Sequence, residues 1–217
     1  MINQERISAY IRSLETPGSE LCESIRKAAL AEDVPIIRSE TASLLTFFIR
    51  LIQPKRILEV GTAVGYSALL MSEVMSDDAE ITTIEKYEPR IAQAKVNFAK
   101  SPYGDRIHLL EGDAAEILKE LDGTYDLIFM DAAKGQYIHF LPDVMRLTAK
   151  GGMVFSDNIL QDGDVLESRF AVTRRNRTIH SRMREYLYEL KHTPGLTTSL
   201  IPIGDGVAVT VKTEEIL

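Results

Sequence analysis

The sequence predicts an α/β fold: a doubly wound, mostly parallel sheet preceded by a helical extension and closed by an antiparallel strand pair. Three observations predict it. Between Arg56 and Asp157, short apolar runs alternate with amphipathic segments, as parallel strands joined by crossover helices do. Ahead of Pro54, apolar residues recur at helical spacing instead. Near the end, Leu196–Ile203 and Gly206–Lys212 read as two strands separated by Gly204-Asp205, a connection short enough for a hairpin.

The 217 residues suit one domain, spanning 1–217, with 1–53 as the helical N-terminal extension and 54–217 as the core. A composition of 45% hydrophobic and 26% charged residues supports a sizeable core and argues against a disordered chain. The single cysteine, Cys22, has no internal disulfide partner, which points to a reducing, cytoplasmic setting. The greasiest stretch, Leu44 to Ile57, is interrupted by Arg50 and Lys55 and is too short to span a membrane. Arg6 and Arg12 punctuate the first residues, where a signal-peptide core is not evident. Net charge is −7, yet Ser168 to Arg184 holds six arginines and no acid. A basic segment on an acidic body predicts a local anionic partner.

Taken in order, Ile7, Tyr10, Ile11 and Leu14 predict a first helix, and Leu21, Ile25 and Ala28 a second after Pro17-Gly18. Ser39 is the expected cap of a third, whose apolar face carries Leu44, Leu45, Phe48, Leu51 and Ile52. The predicted strands are Arg56–Val60, Glu80–Glu85, Ile107–Glu111, Tyr125–Asp131 and Gly151–Asp157, with helices such as Ser67–Met75 and Pro89–Lys100 between them. Ile179, Met183, Tyr186 and Leu190 predict a late helix facing the core, with Arg174, Arg177 and Arg184 on its solvent side.

Ligands of such sheets bind beyond the carboxyl ends of the strands, so the strand ends are the expected seat of chemistry. The first strand runs through Glu59 into Gly61-Thr-Ala-Val-Gly65-Tyr66-Ser67. The spacing is neither the dinucleotide fingerprint, which excludes a nicotinamide dehydrogenase, nor a phosphate loop. A plain strand-to-helix turn reads the same way. Glu85 ends the second strand about 20 residues after Gly61, where a carboxylate can accept hydrogen bonds from both hydroxyls of a ribose; a surface Glu opening a helix fits as well. Asp113 and Ala114 follow the third strand, placed either to cap a helix or to meet an adenine edge. Asp131 ends the fourth strand, and Asp157 and Asn158 the fifth. Two carboxylates and an amide oxygen on neighbouring strand ends are hard ligands suited to magnesium, although each residue also fits a helix cap. Lys134, just past Asp131, becomes a base if a nearby divalent cation disfavours its ammonium form.

These residues together carry a resemblance. Glu59, Gly61, Gly65-Tyr66-Ser67, Glu85, Gly112-Asp113-Ala114, Asp131-x-x-Lys134 and Asp157-Asn158 resemble the class I O-methyltransferases of the catechol and caffeoyl-CoA type, over about Val34 to Lys212. The resemblance implies a Rossmann-like, seven-stranded sheet, S-adenosylmethionine as cofactor, a magnesium ion and a homodimer. Carried over by position, it makes Asp131, Asp157 and Asn158 the metal ligands and Lys134, with Asp131, the catalytic residues. Ile37, Glu59, Gly61, Ser67, Glu85, Asp113, Ala114 and Asp131 become cofactor contacts.

Within that family the chain resembles most the bacterial tRNA 5-hydroxyuridine methyltransferases, through Val34-Pro-Ile36, Asp131-Ala-Ala-Lys-Gly-Gln-Tyr137, Ser156-Asp-Asn158 and Ile201-Pro-Ile-Gly-Asp-Gly206. That likeness implies methylation of a wobble uridine to 5-methoxyuridine, with the tRNA anticodon loop as partner and Arg174, Arg175 and Arg177 on its phosphates. One alternative is O-methylation of a small catechol-like or caffeoyl-CoA-like metabolite. With no Trp in the chain, Tyr137 or Phe170 would then serve as the aromatic wall. Another, of a different class, is a noncatalytic RNA-binding module.

Overall fold

The computed structural model describes residues 4–214; residues 1–3 and 215–217, the outer ends of the 1–217 span, lie outside the described residues. Three helices come first: α1 (Gln4–Leu14), α2 (Glu20–Ala31) and α3 (Ser39–Ile52). Strands and helices then alternate through β1 (Arg56–Val60), α4 (Tyr66–Ser72), β2 (Glu80–Glu85), α5 (Glu88–Phe98), β3 (Ile107–Glu111), α6 (Ala114–Glu120), β4 (Tyr125–Met130), α7 (Tyr137–Leu147) and β5 (Thr148–Ser156). Helix α8 (Arg177–His192) leads to β6 (Leu196–Ile201) and β7 (Val207–Lys212).

The seven strands form one sheet in the order β3-β2-β1-β4-β5-β7-β6. The first five are parallel, and β7 pairs antiparallel with both β5 and β6. Successive side chains of a strand point to opposite faces, so a strand covered on both sides is apolar throughout. Strand β1 obeys this in its covered part except at the buried Glu59: Ile57 packs with Ile81, Leu127, Phe129 and Phe155 under α2 to α5, while Leu58 and Val60 pack with Ile84, Ile128, Met130 and Val154 under α6 to α8. The chain leaves β1 toward β2 and β3, then returns to its other side at β4. This reversal opens a crevice between the carboxyl ends of β1 and β4. Because β7 runs antiparallel, with Ala208 opposite Ser156, its first residues lie beside the end of β5. The turn before β7 therefore reaches the same side of the sheet.

Several predicted details differ. The α1 stripe is helical but outward-facing: Tyr10 and Leu14 are 66% and 65% exposed. Helix α3 starts at Ser39 rather than being capped by it, and Arg38 at the cap makes no side-chain hydrogen bond to the helix. Its buried face is Glu40, Thr41, Ala42, Leu45 and Ile49, leaving Leu51 and Ile52 exposed. Strand β5 starts at Thr148, three residues early, because a register shift against β4 and a left-handed Gly151 (φ 79°) keep the chain paired across an apparent turn. Helix α8 starts at Arg177, so Arg174 and Arg175 sit in the loop ahead of it. Among the described residues no helix is long and apolar enough to cross a membrane.

Candidate active site at the strand ends

A cavity of about 730 Å³ occupies the β1/β4 crevice. Ile37, Gly61, Ser67, Glu85, Asp113 and Ala114 line it, as do Asp131, Lys134 and Asn158. The chain thus brings most of the predicted site residues to one cleft. Glu59 and Asp157 lie behind its wall, Glu59 fully buried and Asp157 nearly so. Residues Val34 to Ile37, between α2 and α3, close one side of the cleft, which ties the helical extension to the site.

The turn after β1 depends on glycine. Gly61 adopts φ 107°, and a Cβ there would stand 2.2 Å from the carbonyl oxygen of Asp131. Only a residue without a side chain lets the ends of β1 and β4 approach so closely. Below this turn, Glu59 accepts hydrogen bonds from the Ser67 and Thr83 hydroxyls, each 2.5 Å. Burial pushes its carboxyl up to about 8, against the lowering effect of those hydrogen bonds.

Glu85 is half-buried and held by backbone. One oxygen accepts from the Ala63 amide, the other from the Lys86 and Tyr87 amides, all at 2.9 Å. This fixes the carboxylate at the cleft wall while leaving acceptor capacity for a ligand hydroxyl. Asp113 caps α6 through the Ala115 amide at 2.9 Å and pairs with Lys86 at 3.2 Å. The capping hydrogen bond first, then Lys86, holds its carboxyl below the usual carboxylate value. It does so while still lining the cleft beside Ala114.

At the other end, Asp131 and Asp157 face each other across the ends of β4 and β5, and Asn158 donates from Nδ2 to Asp131 at 3.4 Å. Burial raises Asp131 to about 6, and burial followed by repulsion from Asp131 raises Asp157 to about 7. The expected magnesium centre needs correcting at this point. Among the described residues no three His, Cys, Asp or Glu side chains gather in a way that could hold a metal ion. The ends of β4 and β5 bring together Asp131 and Asp157, and the Asn158 amide turns a donor toward Asp131.

Lys134 is half-buried, and its Nζ contacts Asp205 Oδ2 at 3.0 Å. Asp205 was not among the predicted site residues; its place between Gly204 and Gly206 suggested only a hairpin turn. The signal was topological, since a strand antiparallel to β5 must carry its preceding turn to this side of the sheet. Gly206 (φ 81°) lets that turn press against Leu160, which a Cβ would meet at 2.3 Å. The other Asp205 oxygen accepts from the Asp162 amide at 2.6 Å.

The model of the O-methyltransferase family matches residues 8–213. The chain is 33% identical over 172 residues to an O-methyltransferase of Aspergillus thermomutatus, ankF, with 71% of this chain and 70% of that protein covered. It is 27% identical to caffeoyl-CoA O-methyltransferase 1 of Eucalyptus globulus, over 93% of this chain and 83% of the relative. The S-adenosylhomocysteine-bound Podospora anserina methyltransferase PaMTH1 superposes with a TM-score of 0.87, at 28% identity over 99% of this chain and 98% of that one.

These comparisons overturn the tRNA reading, because the relatives are named for caffeoyl-CoA and catechol, both small acceptors. The arginines agree. Arg177 donates to the Val172 and Phe170 carbonyls, Arg182 to Gly135 and Arg184 to Val165. Half of the basic segment thus fastens its own loops, and none of Arg174, Arg175 and Arg177 lines the cleft. The predicted noncatalytic module fails as well, since the family match extends over nearly the whole chain and the cleft is intact. This chain belongs to the class I, S-adenosylmethionine-dependent O-methyltransferases of the catechol and caffeoyl-CoA type.

Proposed function

We propose that the chain methylates a hydroxyl oxygen of a small catechol-like or caffeoyl-CoA-like acceptor. The observation that carries this reading is Lys134: it borders the cleft, is half-buried, and is anchored by a buried carboxylate. S-adenosylmethionine, when bound, supplies an electrophilic methyl group on a sulfonium centre. The residues present fit it. The cleft falls within the roughly 300–1,000 Å³ typical of small-molecule sites. Glu85 offers acceptor capacity for ribose hydroxyls, Asp113 and Ala114 a polar edge for the base, and Gly61, Ser67 and Ile37 the remaining walls, with Glu59 fixing Ser67 from beneath.

On the acceptor side, Asp131 orients the hydroxyl, steadied by Asn158, with Asp157 behind. Lys134 takes the hydroxyl proton as the oxygen attacks the methyl carbon; the carbon–sulfur bond breaks with its electron pair passing to sulfur. Asp205 then stabilises the ammonium that forms. Proton transfer to a positioned base and alignment of the two reactants are the contributions the chain makes. The test is turnover of catechol and caffeoyl-CoA with S-adenosylmethionine, read as methylated product by mass spectrometry. Methylation of neither acceptor overturns the reading.

Exposed apolar residues on α1 and α3, including Tyr10, Leu14, Phe47 and Leu51, support the expected homodimer. Sedimentation giving only the 24.3 kDa species would remove it. The 1–53 extension and the 54–217 core act together in this reading, because Val34 to Ile37 complete the cleft. The lone, buried Cys22 suits a cytoplasmic setting.

A further inference from the structure

A second cavity of about 350 Å³ lies beyond Lys134, lined by Lys134, Gln161, Asp162, Asp164, Asn176 and Ile179. Lys134 borders both spaces. With the cofactor in the larger one, the smaller offers room for the remaining atoms of an acceptor whose hydroxyl reaches Lys134.

Gln161 is the unusual residue of this second space. It is 8% exposed, yet its Nε2 is buried and has no hydrogen-bond partner. A buried N–H left unpaired is costly and calls for an explanation. Its backbone is strained too: Gln161 and Asp162 stand at φ 54° and 53°, in the left-handed region that non-glycine residues seldom adopt. The turn is pinned by the Leu160 amide donating to the Asp205 carbonyl at 2.9 Å and by the Asp162 amide donating to Asp205 Oδ1 at 2.6 Å. Asp205 Oδ2 holds Lys134 at 3.0 Å. One buried carboxylate therefore fixes the proton acceptor and the strained turn relative to each other.

We propose that Gln161 is a specificity-determining residue whose side-chain amide donates a hydrogen bond to an oxygen adjacent to the hydroxyl being methylated. This rests on the methyl-transfer reading and deepens it. The acceptor it selects has a second oxygen next to the reacting one and no anionic group at this end. Asp162 and Asp164 line the space and repel a negative charge; Asp164 is engaged by Asn176 Nδ2 at 3.0 Å, and Asp162 by Arg38 at 3.5 Å on the exposed rim. A site built to hydrogen-bond a substrate oxygen rejects the analogue that lacks it, because the polar group is then left unpaired.

The test compares catechol with 2-methylphenol, in which a methyl group replaces the second oxygen, on wild type, Gln161→Leu and Gln161→Met. Turnover is measured, and acceptor binding is measured by calorimetry on protein saturated with S-adenosylhomocysteine. Both substitutions should lower kcat/KM and affinity for catechol at least about 10-fold, leave 2-methylphenol within about 2-fold, and leave S-adenosylmethionine affinity unchanged. Gln161→Leu should also melt no lower than wild type, since it removes an unpaired buried donor. Equal losses for both acceptors, no loss for catechol, or no binding of catechol by wild type overturns the inference. Binding of catechol that depends on Gln161 but yields no methylated product sinks the methyl-transfer reading and leaves this inference standing. Should Gln161→Leu fail to fold, Gln161→Met, which keeps the side-chain length while removing the donor, decides alone.

Discussion

The two halves of the cleft are built differently. Around β1 to β3 the polar groups are closed: Glu85 takes three backbone amides, Asp113 caps a helix, and Glu59 takes two hydroxyls. Around β4, β5 and the β6–β7 turn they are not. Asp131 and Asp157 stand raised to about 6 and about 7, Gln161 has an unpaired amide, and Asn158, Gln161 and Asp162 all lie at positive φ. On the proposed reading the cofactor meets a largely hydrogen-bonded wall, strained among its non-glycine residues at Ala63 (φ 47°). The half proposed to take the acceptor holds more backbone strain and the unpaired Gln161 amide, features that persist where the surroundings enforce them.

The largest expected effect that bears on this contrast comes from Lys134→Ala. Loss of a positioned base costs about 10²–10⁴-fold in rate, so kcat should fall by that order while calorimetric affinity for S-adenosylmethionine stays within about 2-fold. A matching loss of cofactor affinity would mean the two halves are not separable. Next in size is Glu85→Ala. It should weaken cofactor binding by about 1.5–3 kcal/mol, the scale of a charge-assisted hydrogen bond, without altering acceptor affinity. Unchanged cofactor affinity would reduce Glu85 to a brace for the Ala63, Lys86 and Tyr87 amides.

The same contrast explains what the sequence disclosed. Strands β1, β2 and β3 match their predicted bounds, because each is a short run rich in β-branched or other apolar residues set off by polar or turn-forming neighbours. The residues at their ends are placed by local geometry, so Gly61, Glu85 and Asp113 could be read one strand at a time. The acceptor half depends on contacts far apart in sequence. Lys134 meets Asp205 across 71 positions, and Asp162 meets Asp205 across 43. Only the antiparallel placement of β7 beside β5 brings them together, and no periodicity encodes that pairing. Composition misled where it was most conspicuous. The six arginines after Ser168 suggested phosphate, but Arg177, Arg182 and Arg184 are spent on backbone carbonyls, which charge counting cannot reveal. Likewise, the Ile7, Tyr10, Ile11, Leu14 stripe gives a helix correctly without saying which way it faces.

The smallest effect concerns Glu59 and tests whether the cofactor half is as relaxed as its hydrogen bonds suggest. This carboxyl has no exposure, and burial raises it from an ordinary 4.5 to about 8. A group whose folded-state value is raised binds its proton more tightly when folded. Its stabilising contribution is therefore complete below pH 4.5 and is lost progressively as pH rises toward 8. Over that window one extra bound proton gives a slope of up to about 1.4 kcal/mol per pH unit. Asp131 and Asp157 shift in the same direction, so wild-type stability alone cannot isolate Glu59. The difference between wild type and Glu59→Gln can, because an amide keeps the size and an oxygen to accept one of the two hydroxyl hydrogen bonds but does not titrate. Urea denaturation from about pH 5 to 8 should show wild type losing stability faster than Glu59→Gln as pH rises, with the curves converging in slope above about pH 8. Parallel curves throughout would mean that the Ser67 and Thr83 hydroxyls keep Glu59 ionised in the folded chain. The β1 end would then carry a buried negative charge beneath the cofactor cleft, and the division into a relaxed half and a strained half would fail at its centre.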